Sequence, residues 1–270
     1  MSNLPRTFWG WVFFMVSKYG LVFLDGCKAT LILSIIGTFI GCIIGFLVGV
    51  VRTIPKPGKQ ANAASKLLYQ FVQFIFLAYI EIFRGTPMMV QAMVLYYGSK
   101  QMFGIDMSSM FAGFVIVSVN TGAYMAETVR GGIESIDVGQ TEAAMAIGMT
   151  HWQTMVSIIL PQTLRNILPQ IGNNLIANIK DTSVLNVIAV TELYYVGKSV
   201  AGIYYNFFPT FFIVSAIYFI MTFLCARLLK WTEHKIDGSN FYTLVDPMAD
   251  PTDISPTKKN IVRGMHAWLK

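Results

Sequence analysis

The sequence predicts an all-α integral membrane protein, and three observations predict it. Only 13% of the 270 residues are charged and 54% are hydrophobic, whereas a soluble domain carries about one quarter charged residues. The charge is missing in blocks: 23 uncharged residues separate Lys28 from Arg52, 20 run from Met107 to Ala126, and 28 from Ser199 to Ala226. Crossing a bilayer as a helix takes about 20 apolar residues, so each block is long enough to span. A net charge of +6 does not argue for nucleic acid, because the basic residues sit at the ends of apolar runs, where they orient helices against headgroups.

Taken in order, Phe8 to Leu24 is interrupted by Lys18 and has no clear small-residue cleavage site, unlike a signal peptide. Residues 1–20 are read as an outer or interfacial segment, lying at the interface as a helix or joining the first span. That span covers Leu21 to Val51, where Gly37, Gly41, Gly45 and Gly49 recur every four residues and form one stripe for close helix approach. Pro55 and Pro57 end it in a loop carrying Arg52, Lys56, Lys59 and Lys66. The second span, Leu67 to Tyr97, is one long kinked helix or two short ones, interrupted at Gly85-Thr86-Pro87. Glu81 and Arg84, three apart, can pair on one face, so with Pro87 they are a structural pair or a gate.

The third span is Ser109 to Val129, the fourth Ile167 to Val190, and the fifth Phe207 to Lys230. Four basic residues lie between Arg52 and Lys66, against one each in the loops of Lys100 and Lys198. The positive-inside rule then places the first loop, residues 130–166 and the C-terminus in the cytoplasm, with the N-terminus outside. Arg6, Lys18 and Lys28 count mildly against this. Residues 231–270, with Pro247, Pro251 and Pro256 among aspartates, read as a polar cytoplasmic tail, disordered or loosely docked on the cytoplasmic face. Cys27, Cys42 and Cys225 are isolated, packed hydrophobes. The scattered His151, His234 and His266 have no metal-ligand spacing. Tyr194, Tyr195, Tyr204 and Tyr205 fit an outer aromatic belt.

The segment from about 138 to 161 is not needed to span lipid. Val138 to Ile147 reads as a short helix with Ala143, Ala144 and Ala146 on its packing surface, and Gly148 permits a tight turn. Thr150 and Gln153 have capping-box spacing for a second helix. Trp152, Met155, Ile158 and Ile159 give that helix an apolar face, and Pro161 closes or bends the run. A small-residue surface of this kind suits being gripped by a partner.

These residues resemble a known family. Glu142-Ala143-Ala144, Gly148, Ile158 and Leu160-Pro161 match the EAA signature of bacterial ABC-importer permeases. The stretches from Gly122 to Ile133, from Phe83 to Pro87 with Leu95 to Gly98, and Lys180-Asp181-Thr182-Ser183 are similar to its polar amino-acid branch. The resemblance runs from about Tyr19 to Lys230. It implies a type I ABC importer permease fold with five transmembrane helices and a cytoplasmic coupling helix, located in the bacterial inner membrane. It further implies a second permease subunit, identical or related, a cytoplasmic ATPase dimer gripping the EAA segment, and an extracytoplasmic amino-acid-binding protein. ATP and Mg²⁺ belong to that ATPase. This chain has no glycine-rich phosphate loop ending in Lys-Ser or Lys-Thr, so it is expected to bind no cofactor and to be no enzyme.

The expected coupling residues are Glu142, Ala143, Ala144, Gly148, Trp152 and Pro161. The expected substrate or pathway residues are Gln91, Asn120, Glu127, Lys180, Asp181, Thr182 and Ser183. Lys180 and Asp181 lie midway along the fourth span, where unpaired charge is costly; as neighbours they point about 100° apart. Asn120 is a helix–helix hydrogen bond or a pore lining. An ion-coupled secondary transporter or channel is the alternative reading, although no repeat links the two halves; a membrane scaffold that recruits a cytoplasmic protein is the other.

Overall fold

The computed structural model describes residues 4–58 and 61–237, all helical or in short connections. The helices are α1 (Phe8–Arg52), α2 (Ala63–Gly85), α3 (Met88–Phe103), α4 (Ser109–Glu134), α5 (Val138–Ala146) and α6 (His151–Thr154). A π-helical turn (Met155–Ile159) joins α6 to α7 (Leu160–Asp181), and a 3-10 segment (Thr182–Ile188) leads to α8 (Leu193–Tyr204) and α9 (Phe207–Asp237). The expected tail prolines and His266 lie outside the described residues, and α9 runs past the expected end at Lys230 to Asp237.

Among the described residues, four helices are long and apolar enough to cross a membrane: α1, α2, α4 and residues 207–232 of α9. The expected count of five therefore does not follow from length and composition. The missing one is α7, whose Gln162, Gln170, Asn173, Asn174, Asn178, Lys180 and Asp181 dilute its apolar face. The expected fourth span also stops short as an α-helix, at Asp181, because the chain tightens into the 3-10 segment there.

The centre of the bundle is the α1–α4 pair. A Cβ added at Gly37, Gly41, Gly45 or Gly49 would lie within 2.9 Å of Val117, Thr121, Met125 or Val129, respectively. Both series rise by four, so the helices run parallel, with backbones at the close approach that small residues permit. α7 runs antiparallel to α4. Its Asn178 donates to Thr121 Oγ1 (2.9 Å) and to Thr38 Oγ1 of α1 (2.7 Å), Asn174 donates to Met125 Sδ (3.0 Å), and Ile167 packs with Val129. One buried amide thus ties three helices at one level.

The same register places the α2–α3 break. Gln73 of α2 donates to Val51 O near the end of α1, and Tyr79 donates to Val119 O (2.6 Å) halfway along α4. Tyr96 of α3 lies beside Ser109, the first residue of α4. α2 and α3 therefore climb the bundle in series and part at its mid-depth. They are two helices, not one kinked helix, because Thr86 is extended (ψ 147°) and Pro87 starts the next helix.

α1 is continuous through residue 20, with 45 residues and a length of about 68 Å, more than twice a hydrocarbon core. Its N-terminal part packs on α8 and α9: Met15 and Phe23 cluster with Leu193, Val196, Val200, Ile213 and Val214. The junction is fixed by Glu192, fully buried, which accepts from the Tyr194 and Tyr195 amides (2.9 and 2.8 Å), Tyr218 OH (2.7 Å) and Thr30 OH (3.4 Å). Nearer the start of α1, Lys18 donates to Tyr204 OH (2.8 Å) and lies over the Phe14, Tyr19 and Tyr204 rings. The three cysteines are free and partly buried.

Candidate functional site

A cavity of about 480 Å³ opens at the α2–α3 break, between Thr86–Met89, Asn120, Thr121 and Tyr124 of α4, and Asn174, Asn178 and Asp181 of α7. Its polar groups come from two helical stripes. Asn174, Asn178 and Asp181 recur at i, i+4 and i+7 on α7, and Asn120 and Tyr124 stand at i and i+4 on α4. The face of α4 carrying Thr121, Met125 and Val129 is used against α1, which leaves the neighbouring stripe for the cavity. Discontinuous helices with polar groups at mid-depth are where membrane transport folds place solutes.

Two of the expected pathway residues line this cavity, Asn120 and Asp181. Asn120 also serves as a helix–helix link: its Nδ2 donates to Phe83 O (3.2 Å) and Gln91 Oε1 (3.0 Å). Gln91 in turn donates to Phe83 O and Thr86 O (both 2.9 Å), satisfying carbonyls freed by the helix break. Gln91 faces a separate apolar cavity, so its part is to hold the break. Lys180 is turned away from Asp181. It lines another cavity, of about 320 Å³, with Ser183, Ser215, Tyr194 and Tyr218. Thr182 is fully buried and donates to Ile179 O (3.1 Å); its hydroxyl serves the helix end and is not presented to a cavity.

Glu127 is ion-paired with Arg130, which also bonds Glu134 (2.6 Å). The expected Glu81–Arg84 pair is not formed. At the end of α2 the Arg84 guanidinium lies over the Tyr124 ring on α4, 5.6 Å from its centroid, while Glu81 is exposed. An aromatic face on the adjacent helix satisfies this cation.

The segment from α5 to α6 has the expected turn. Gly148 is left-handed (φ 84°), with Gly148 N–H donating to Met145 O and Met149 N–H to Ala144 O (both 3.0 Å), the paired bonds of a Schellman helix end. Thr150 and Gln153 complete the capping box. Glu142, Ala143 and Trp152 are exposed, but Ala144 is buried against the chain itself. Pro161 does not end the run: it sits in the first turn of α7, directly after the π-turn. Of the expected apolar face, Met155 and Ile159 point inward. The outward apolar side chains are instead Val138 (69% exposed), Met145 (55%), Ile147 (79%) and Trp152 (68%).

A profile of the family described as binding-protein-dependent transport system inner membrane component matches residues 61–238. The chain belongs to this family. Among curated proteins it is similar to the glutamine transport system permease protein GlnP of Escherichia coli (strain K12), 35% identical over 79% of this chain and 92% of that protein. It is also similar to the arginine transport system permease protein ArtQ of Bacillus subtilis (strain 168), 30% identical over 80% and 93%. A solved structure described as an amino acid ABC transporter with histidines matches with a TM-score of 0.72 and 32% identity, over 83% of this chain and 98% of that one. An inward-facing structure of the MetNI methionine ABC transporter matches with a TM-score of 0.66 over 81% and 97%; at 23% identity it supports the fold alone. The family fold is an all-α, multi-span membrane fold, and among the described residues no cluster could hold a metal ion.

Proposed function

We propose that this chain, a membrane permease subunit of an ABC-type amino-acid importer, carries a polar amino acid through the cavity at the α2–α3 break. A cytoplasmic ATPase dimer drives it by gripping the α5–α6 segment. The observation that carries this reading is that segment's exposed apolar face. Val138, Met145, Ile147 and Trp152 stand out around a doubly capped turn, and large exposed apolar side chains concentrated in so short a segment suit contact with another protein. Glu142 and Ala143 flank it; Gly148 sets its angle.

Five crossings follow if α2 and α3 count as one and α7 with α8 as another. The polar stripe of α7 then faces the cavity and the α1–α4 pair that Asn174 and Asn178 bond. Counting basic residues puts the α1–α2 loop, α5–α6 and the end of α9 in the cytoplasm and the N-terminus outside. In the cycle, closure of the ATPase pair draws the two α5–α6 segments of a permease pair together, and rigid helices carry that movement to mid-depth. An extracytoplasmic binding protein supplies the solute, as the family's description and the names of its relatives support. Asp181 is the natural partner for the substrate ammonium, while Asn120, Asn174 and Asn178 offer amides. The ion-coupled alternative falls with the family assignment.

The test is reconstitution with the cognate ATPase and binding protein. ATP on the α5–α6 side is expected to drive uptake of one or a few labelled amino acids. Uptake that follows a proton or sodium gradient and ignores ATP would overturn the reading.

A further inference from the structure

We propose that Arg84 is a specificity-determining residue: it leaves the face of Tyr124 to take the α-carboxylate of the substrate whose ammonium is held by Asp181. This rests on the reading of the α2–α3 cavity as the substrate pocket. Arg84 stands in the last turn of α2, two residues before Thr86, which lines the cavity. Its guanidinium is exposed, and among the described residues no carboxylate comes within ion-pair distance of it, although Glu81 is three residues away. A cation at mid-depth in a membrane bundle is costly unless something pairs it. Its guanidinium lies over the ring of Tyr124, itself part of the cavity wall, and its charge reaches Glu127 without pairing there, since Glu127 is held by Arg130. A ring face holds a guanidinium less firmly than a carboxylate does, and arginine's planar fork matches a carboxylate in two-bond geometry.

The spacing suits an amino-acid head group. Asn178 and Thr121 are hydrogen-bonded at one level. Asp181 lies three residues from Asn178 toward one end of the bundle, and Tyr124 three residues from Thr121 toward the other, because α7 and α4 run antiparallel. At 1.5 Å per residue the two positions stand about 9 Å apart along the axis. Side chains reaching from these two levels can converge on one small zwitterion. Asp181 and Arg84 together then read a zwitterion, and the amides between them face the side chain.

The test measures binding to the permease–ATPase complex in nanodiscs without the binding protein, so that the binding protein's own selectivity does not enter. The probes are labelled L-glutamine and L-arginine, each against its α-carboxamide. Wild type is expected to prefer the free acids at least tenfold. Arg84→Gln is expected to bring that ratio to within about threefold by weakening the acids alone, Arg84→Lys to restore part of it, and Asp181→Asn to weaken acids and amides together. Size exclusion checks that each variant assembles. An unchanged ratio in Arg84→Gln with ATP-driven uptake intact overturns the role of Arg84 and leaves the pocket standing. Equal loss for acids and amides, or loss of assembly in both Arg84 variants, overturns it in favour of a structural cation. If wild type neither binds nor takes up any amino acid, the pocket reading falls as well.

Discussion

Replacing Gly45 with alanine would put a methyl carbon 2.3 Å from Met125 Cβ, 2.8 Å from Ala126 N and 2.9 Å from Gly122 O. Ordinary carbon–carbon contact is about 3.5–4.0 Å, so α1 and α4 must separate by more than 1 Å at that point. Two of the three obstacles are backbone and cannot rotate aside. Overpacking a close-packed site costs about 1–3 kcal/mol, offset by at most about 1 kcal/mol of helix propensity. The expected net loss is about 2 kcal/mol, or roughly 4–8 °C in a chain of this size. Gly20 is the matched control, since a Cβ there meets nothing within 4 Å. The assay is the temperature at which half of the detergent-purified protein stays monodisperse on size exclusion. Gly45→Ala is predicted to melt clearly below wild type and Gly20→Ala at or above it. Equal behaviour of the two variants would refute the claim that the glycine stripe sets the α1–α4 distance.

Asn178→Leu keeps the volume but strands the Thr38 and Thr121 hydroxyls. It is expected to cost about 1–3 kcal/mol by the same thermal assay, and a variant as stable as wild type would show that the three-helix tie contributes nothing. Glu192→Ala leaves the Tyr218 and Thr30 hydroxyls and two amides without their acceptor, and is predicted to destabilise by several kcal/mol. Glu192→Gln, which retains one acceptor oxygen, is predicted to lose less, and the order of their melting temperatures checks this. Gly148→Trp adds bulk where the backbone is left-handed, a conformation costing about 1–2 kcal/mol for other residues. It is expected to insert in the membrane normally yet fail to pull down the ATPase.

Much of the fold was legible because its signals are local. The charge-free blocks located α1, α4 and α9; the four-residue glycine repeat marked the face of α1 that meets α4; and Gly148 with Thr150 and Gln153 fixed the turn before α6. What escaped depends on rotation and partner choice. The start of the expected fourth span falls on α7, and what escaped was its rotation, which turns the Asn174–Asn178–Asp181 stripe to the cavity. Read with helical spacing, that stripe and the Asn120–Tyr124 pair were the available signals for the cavity. Lys180 and Asp181 parted into different cavities as their 100° offset requires. Arg84 chose a ring on α4 over Glu81 on its own helix, a tertiary preference that spacing along one helix does not encode. Ala144 turned inward while Ile147 and Met145 turned out, since a nine-residue helix exposes whichever side its host bundle leaves uncovered.

The central claim is that force from a separate ATPase enters at the α5–α6 turn. The most direct measurement places a photo-crosslinking residue at Ile147, which is 79% exposed, and irradiates the assembled complex during ATP turnover. The account predicts an adduct with the ATPase subunit whose yield changes between nucleotide-free and ATP-bound states. An adduct only with lipid or with the permease itself, in a complex that still couples hydrolysis to uptake, would contradict it.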